Sequence, residues 1–70
     1  MPEIVIYLAE GREPDKKRAL MKDITDAVMK NFGVPAEAVV VQIVESKKAD
    51  KMKGGLLFTE RQPAKPDTKY

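Results

Sequence analysis

A chain of 70 residues with no cysteine and no histidine has room for one domain, and it excludes disulfides, thiolate metal sites, cysteine nucleophiles and histidine general bases. Its apolar share of 43% is that of a globular protein, yet no apolar run nears the ~20 residues of a membrane span, and no basic-then-apolar signal peptide opens it. The net charge of +2 imposes no nucleic-acid reading.

So small a domain buries only about 60% of the surface its unfolded chain exposes. With staples excluded, oligomerisation is the leading way to complete its core. Absence of cysteine suits a reducing cytoplasm, and the expectation is a cytoplasmic protein with no membrane or nucleic-acid partner. Cations gather in residues 47–53 and again in 61–69. Each group reads either as solvated surface or as a cationic rim that draws anionic substrates.

In chain order, Glu3–Ala9 reads as a strand, with Ile4, Ile6 and Leu8 on one face and Val5 and Tyr7 on the other. Apolar groups on both faces predict cover on both sides. Residues 10–12 break the pattern as a loop. A helix follows, with Pro14 at its first position and Glu13 and Asp15 at its positive dipole end. Leu20, Ile24, Ala27, Val28 and Phe32 form the predicted apolar stripe. Gly33 stands where a left-handed cap belongs, and Pro35 prevents continuation.

Residues 35–38 read as a turn and 39–44 as a second strand, nearly continuous in apolar residues. Such a run suits a parallel strand buried on both faces. Strand, helix, strand is a βαβ unit with a right-handed crossover. One helix covers one face of the sheet, so the other face must meet a second subunit. After Glu45 the chain turns polar through residues 46–53, and Gly54-Gly55 leads into a short strand or hairpin. The domain is expected to span 1–61, with 62–70 a polar extended tail. The fold class is α/β.

Without histidine or cysteine, the candidate bases are carboxylates, lysines and the chain terminus. Pro2 follows Met1, and aminopeptidase trimming would leave a secondary amine at the head of a strand. An α-amino group titrates near about 8, far closer to neutrality than a lysine. Burial would disfavour its charged form further. Such an amine can accept and return a proton near neutral pH; equally, Pro2 reads as a proline at a strand entry, where its missing donor does no harm. Arg12 follows the first strand, at the carboxyl end where α/β ligand sites lie, and its fork suits a carboxylate. An exposed loop arginine is the plainer reading. Glu45 reads as a structural hydrogen-bond acceptor rather than an acid catalyst.

Pro2, the turn of Glu10, Gly11 and Arg12, the amphipathic helix, Pro35, the valine-rich strand ending at Glu45, and Gly54-Gly55 together resemble the 4-oxalocrotonate tautomerase family. The resemblance implies a β-α-β fold with a C-terminal hairpin, assembled as a homohexamer (a trimer of dimers), and a role in aromatic catabolism. It implies Pro2 as general base and acid on a small unsaturated 2-hydroxy or 2-oxo acid. Arg12 would hold a substrate carboxylate and stabilise dienolate charge. No metal or organic cofactor is implied.

Two positions depart from the pattern. Relatives active on dicarboxylates carry a second arginine in the second strand, contributed across a subunit boundary, where this chain has Val40. They carry an aromatic three positions before the paired glycines, where this chain has Lys51. Lys51, Lys53 and Arg61 are the candidates for replacement charge. A 3-haloacrylate dehalogenase or hydratase on the same scaffold, in a hetero-oligomer, stays open, as does a non-catalytic anion-binding oligomer.

Overall fold

In a computed structural model of the chain, describing residues 1–61, strand β1 (Glu3–Ala9), helix α1 (Pro14–Phe32) and strand β2 (Val40–Ser46) follow in order. The sequence reading of 62–70 as a tail lies outside the described residues. β1 and β2 pair in parallel, from Glu3 opposite Val40 to Ala9 opposite Ser46. α1 is the crossover between them, as the βαβ reading expects.

The ends of α1 follow from local chemistry. Extended Glu13 precedes Pro14 and makes no side-chain cap, so its carbonyl does the work, accepting from the N–H groups of Lys16 and Lys17 at 3.1 Å each. At the other end Gly33 adopts φ 66°, ψ 33° and returns its N–H to the Met29 carbonyl at 2.9 Å. A residue with a Cβ pays a steric penalty there. Residues Ala36–Ala38 form a 3-10 turn that Val39 closes, its N–H donating to the Ala36 carbonyl at 3.0 Å.

That turn moves β2 away from the expected 39–44. Val39 spends its donor on the turn, so pairing starts at Val40. It continues through Glu45 and Ser46 because Leu8 and Ala9 of β1 are still there to pair with them.

The two faces of the sheet differ. Ile4, Ile6, Val41 and Ile43 are half-buried on the side that carries α1. Val5, Tyr7, Gln42 and Val44 on the opposite side are exposed. The expected cover on both sides of β1 is therefore not supplied by one chain. No described residue is fully buried, and this face of the sheet is open in the single chain.

The helix stripe is also displaced. Lys17, Met21, Ile24, Thr25, Val28 and Met29 are the half-buried positions, whereas Leu20, Ala27 and Phe32 are exposed. Two apolar stripes lie side by side on α1, and the sheet takes the one with the methionines.

Beyond β2, residues 46–53 are more ordered than a polar loop. A 3-10 turn at Lys48–Asp50 leads into β3 (Met52–Lys53), which pairs antiparallel with β4 (Leu56–Leu57). Gly54 and Gly55 both have positive φ, 63° and 82°, as a two-residue hairpin turn requires. The Phe58 N–H donates to the Lys51 carbonyl at 2.8 Å and closes the hairpin base.

Candidate active site

Pro2 is half-buried at the head of β1. Its carbonyl accepts the Val40 N–H at 3.0 Å, which ties residue 2 to the first residue of β2. Proline has no donor of its own, so this position costs the sheet nothing. Met1 is 84% exposed, leaving its peptide bond with Pro2 open to an aminopeptidase.

Arg12 lies at the other end of the same strand, in the exposed loop between β1 and α1. Two contacts pin that loop. The Glu10 N–H donates to the Ser46 carbonyl at 2.9 Å, and the Lys48 N–H donates to the Glu10 carboxylate at 3.1 Å. Gly11 takes φ 112°, and the Lys48 ammonium lies 3.8 Å from where a Cβ on Gly11 would stand. Lys48 is thus a second cation beside the turn that presents Arg12. The sequence reading named it only within a basic stretch. The parallel register is the signal that finds it, because the residues after β2 must lie beside those after β1.

Lys51, Lys53 and Arg61 belong to the hairpin. The Lys51 ammonium sits 5.7 Å from the centre of the Phe58 ring, within cation–π range. The Arg61 guanidinium donates to the Lys53 carbonyl at 2.9 Å. All three follow β2 in the chain, and the hairpin that carries them forms a two-stranded sheet of its own. Glu45 accepts from the Lys17 ammonium at 3.1 Å, the structural role expected of it, and ties α1 to β2.

One chain therefore does not bring Pro2 and Arg12 together. β1 has seven residues, and at about 3.3 Å per residue they separate the two ends by roughly 20 Å. That is too far for one small molecule to touch both.

A parallel β-α-β unit with an open sheet face, a C-terminal hairpin and a strand-leading proline is a small α/β fold. A family model described as tautomerase enzyme matches residues 2–61, and the chain belongs to the Tautomerase family. It is 53% identical over 64 residues to a "probable tautomerase" of Bradyrhizobium diazoefficiens, covering 91% of this chain and 96% of that one. Among solved structures, a 4-oxalocrotonate tautomerase homologue superposes with TM-score 0.82 at 33% identity, covering 90% of this chain and all of the other. A heterohexamer 4-oxalocrotonate tautomerase from Chloroflexus aurantiacus gives TM-score 0.80 at 27% identity, over 89% of this chain and 100% of that one.

Proposed function

We propose that the chain is a tautomerase whose general base is the secondary amine of Pro2, freed by removal of Met1. Its substrate is a small unsaturated 2-hydroxy or 2-oxo acid. The amine takes a proton from the substrate, the conjugated electrons shift toward the 2-oxygen, and the resulting ammonium returns the proton at another carbon. Proton and electron pair both stay within the substrate–amine pair, so the cycle needs no cofactor.

The observation that carries this reading is Pro2 at the head of β1 in a family of tautomerases, in a sequence with no histidine or cysteine. Arg12 reaches the amine only from another copy. The sheet has two strands, each with a free edge. An antiparallel two-fold association along such an edge sets the amino end of one copy against the carboxyl end of the next. Pro2 of one subunit then meets Arg12 of its neighbour, whose fork grips a carboxylate and stabilises dienolate charge. Covering the open faces of such dimers against one another gives a hexamer, the assembly class of the Chloroflexus aurantiacus heterohexamer.

Intact mass of the active protein should be short by one methionine. Pro2→Ala should lower enolpyruvate tautomerisation at least about tenfold, the lower end of what general acid–base groups contribute being larger still. Unchanged turnover in Pro2→Ala sinks the reading. Halide release from 3-chloroacrylate outpacing tautomerisation replaces it with dehalogenation by the same amine.

A further inference from the structure

Resting on the proposed role of Arg12 as a carboxylate clamp, we propose that Glu10 is the positioning residue for that arginine. From the loop after β1 it caps the 3-10 turn at Lys48–Asp50, and through that staple it sets how tightly a substrate carboxylate is held.

The turn cannot cap itself. It follows Lys47, whose side chain makes no cap, at a position where an oxygen-bearing residue is the usual choice. The Asp50 N–H donates to the Lys47 carbonyl at 2.9 Å, and the Lys51 N–H reaches the Lys48 carbonyl at 3.4 Å. The Lys48 N–H takes no part in these bonds, and the Glu10 carboxylate accepts it at 3.1 Å. Glu10 is thus fixed twice by the segment that leaves β2, through its own N–H to the Ser46 carbonyl and through its side chain to Lys48.

Arg12 has no such restraint on its charge. Among the described residues the ion pairs are Lys17 with Glu45 and Lys22 with Asp26, and neither engages it. Its place is set by its backbone, which runs between two anchors. Glu13 is one, its carbonyl holding the N–H groups of Lys16 and Lys17 at the start of α1. Glu10 is the other. Between Glu10 and Arg12 stands only Gly11, at φ 112°, with the Lys48 ammonium 3.8 Å from where its Cβ would be. Releasing Glu10 removes one anchor, and the loop must then be ordered anew whenever a carboxylate binds.

Equilibrium binding tests this without turnover. The full chain with Met1 removed is titrated with 3-phenylpropionate, a carboxylate that cannot tautomerise, and with its neutral amide, and Kd is read from NMR shifts. Wild type binds the acid more tightly than the amide. Glu10→Ala weakens the acid about tenfold, the scale of a lost hydrogen bond to a charged group, and leaves the amide within about twofold. Glu10→Gln keeps an acceptor at the same reach and stays close to wild type. Glu10→Asp keeps the charge but withdraws the acceptor by one methylene, so it behaves as Glu10→Ala does. In an Arg12→Ala background Glu10→Ala adds no further loss, because its effect runs through the arginine.

Acid and amide weakening together, or losses that add to those of Arg12→Ala, would make Glu10 a structural residue only and overturn the proposal. A wild type that does not prefer the acid overturns it too, as does a Glu10→Asp chain that binds like wild type. Where Glu10→Ala fails to fold, Glu10→Asp carries the same prediction. Turnover by Pro2→Ala judges the tautomerase reading separately: if that variant stays fully active while binding behaves as stated, the role of Pro2 falls and that of Glu10 stands.

Discussion

Tyr7→Asp tests the dependence of this fold on association. Tyr7 stands in the middle of β1 on the open face, next to Val5 on the same side and opposite Val44 of β2. An aromatic side chain buries ~150–250 Å². Tyr7 is 73% exposed, so covering the rest removes roughly 110–180 Å² from water and stabilises the assembly by about 3–4 kcal/mol per copy at ~25 cal/mol/Å². Aspartate forfeits that burial and adds a carboxylate that the interface must desolvate. At about 1.4 kcal/mol per tenfold, Tyr7→Asp weakens association by at least about a hundredfold. Sedimentation equilibrium over a concentration series reads the mass, and circular dichroism on the same samples reads the helix. Since no described residue is fully buried in the single chain, both signals fall together, at a midpoint that depends on concentration. A Tyr7→Asp protein keeping wild-type mass across the series would refute this reasoning. So would a wild-type monomer that stays folded.

Two smaller changes probe the ends of the sheet. Gly11→Ala forces a Cβ onto φ 112° and should destabilise by about 1–3 kcal/mol. The new carbon would sit 3.8 Å from the Lys48 ammonium, an ordinary contact, so the cost is in the backbone; a thermal midpoint equal to wild type contradicts it. The Lys17–Glu45 pair, 3.1 Å apart with side chains 23% and 34% exposed, should show a double-mutant coupling of only about 0.2–1 kcal/mol that shrinks with salt. A coupling above about 2 kcal/mol would place the pair in a far drier setting than this one.

The sequence was clearest where single residues have only one use. Pro14 and Gly33 marked the two ends of α1, and Gly54-Gly55 marked the hairpin, because their backbone restrictions act locally. It was ambiguous where neighbours were chemically alike. Three consecutive valines at 39–41 give no sign that the first serves the 3-10 turn. On α1, the stripe through Leu20 and Phe32 and the stripe through Met21 and Met29 both carry apolar residues and share Ile24 and Val28. Which one packs depends on where β2 returns beneath the helix. At the site, Pro2 and Arg12 stood out by type. Their separation is a property of strand length, and Lys48 beside Gly11 is a property of register. Neither emerges from residues considered singly.

That separation gives the shared site a quantitative test. Pro2→Ala and Arg12→Ala chains are each inactive alone if base and guanidinium must meet. Unfolded together in equal amounts and refolded, they assemble at random. A site then works only when its proline comes from an Arg12→Ala chain and its arginine from a Pro2→Ala neighbour. Each condition holds about half the time, so mixing restores about a quarter of wild-type activity, whatever the size of the closed symmetric assembly. Each variant refolded alone sets the baseline. If base and guanidinium came from one chain, every site would lack one of them and mixing would restore nothing. Recovery near the baseline, from chains that have demonstrably mixed by mass, would therefore refute the shared site, whereas an Arg12→Ala chain that keeps wild-type activity alone would return Arg12 to the role of an exposed loop arginine.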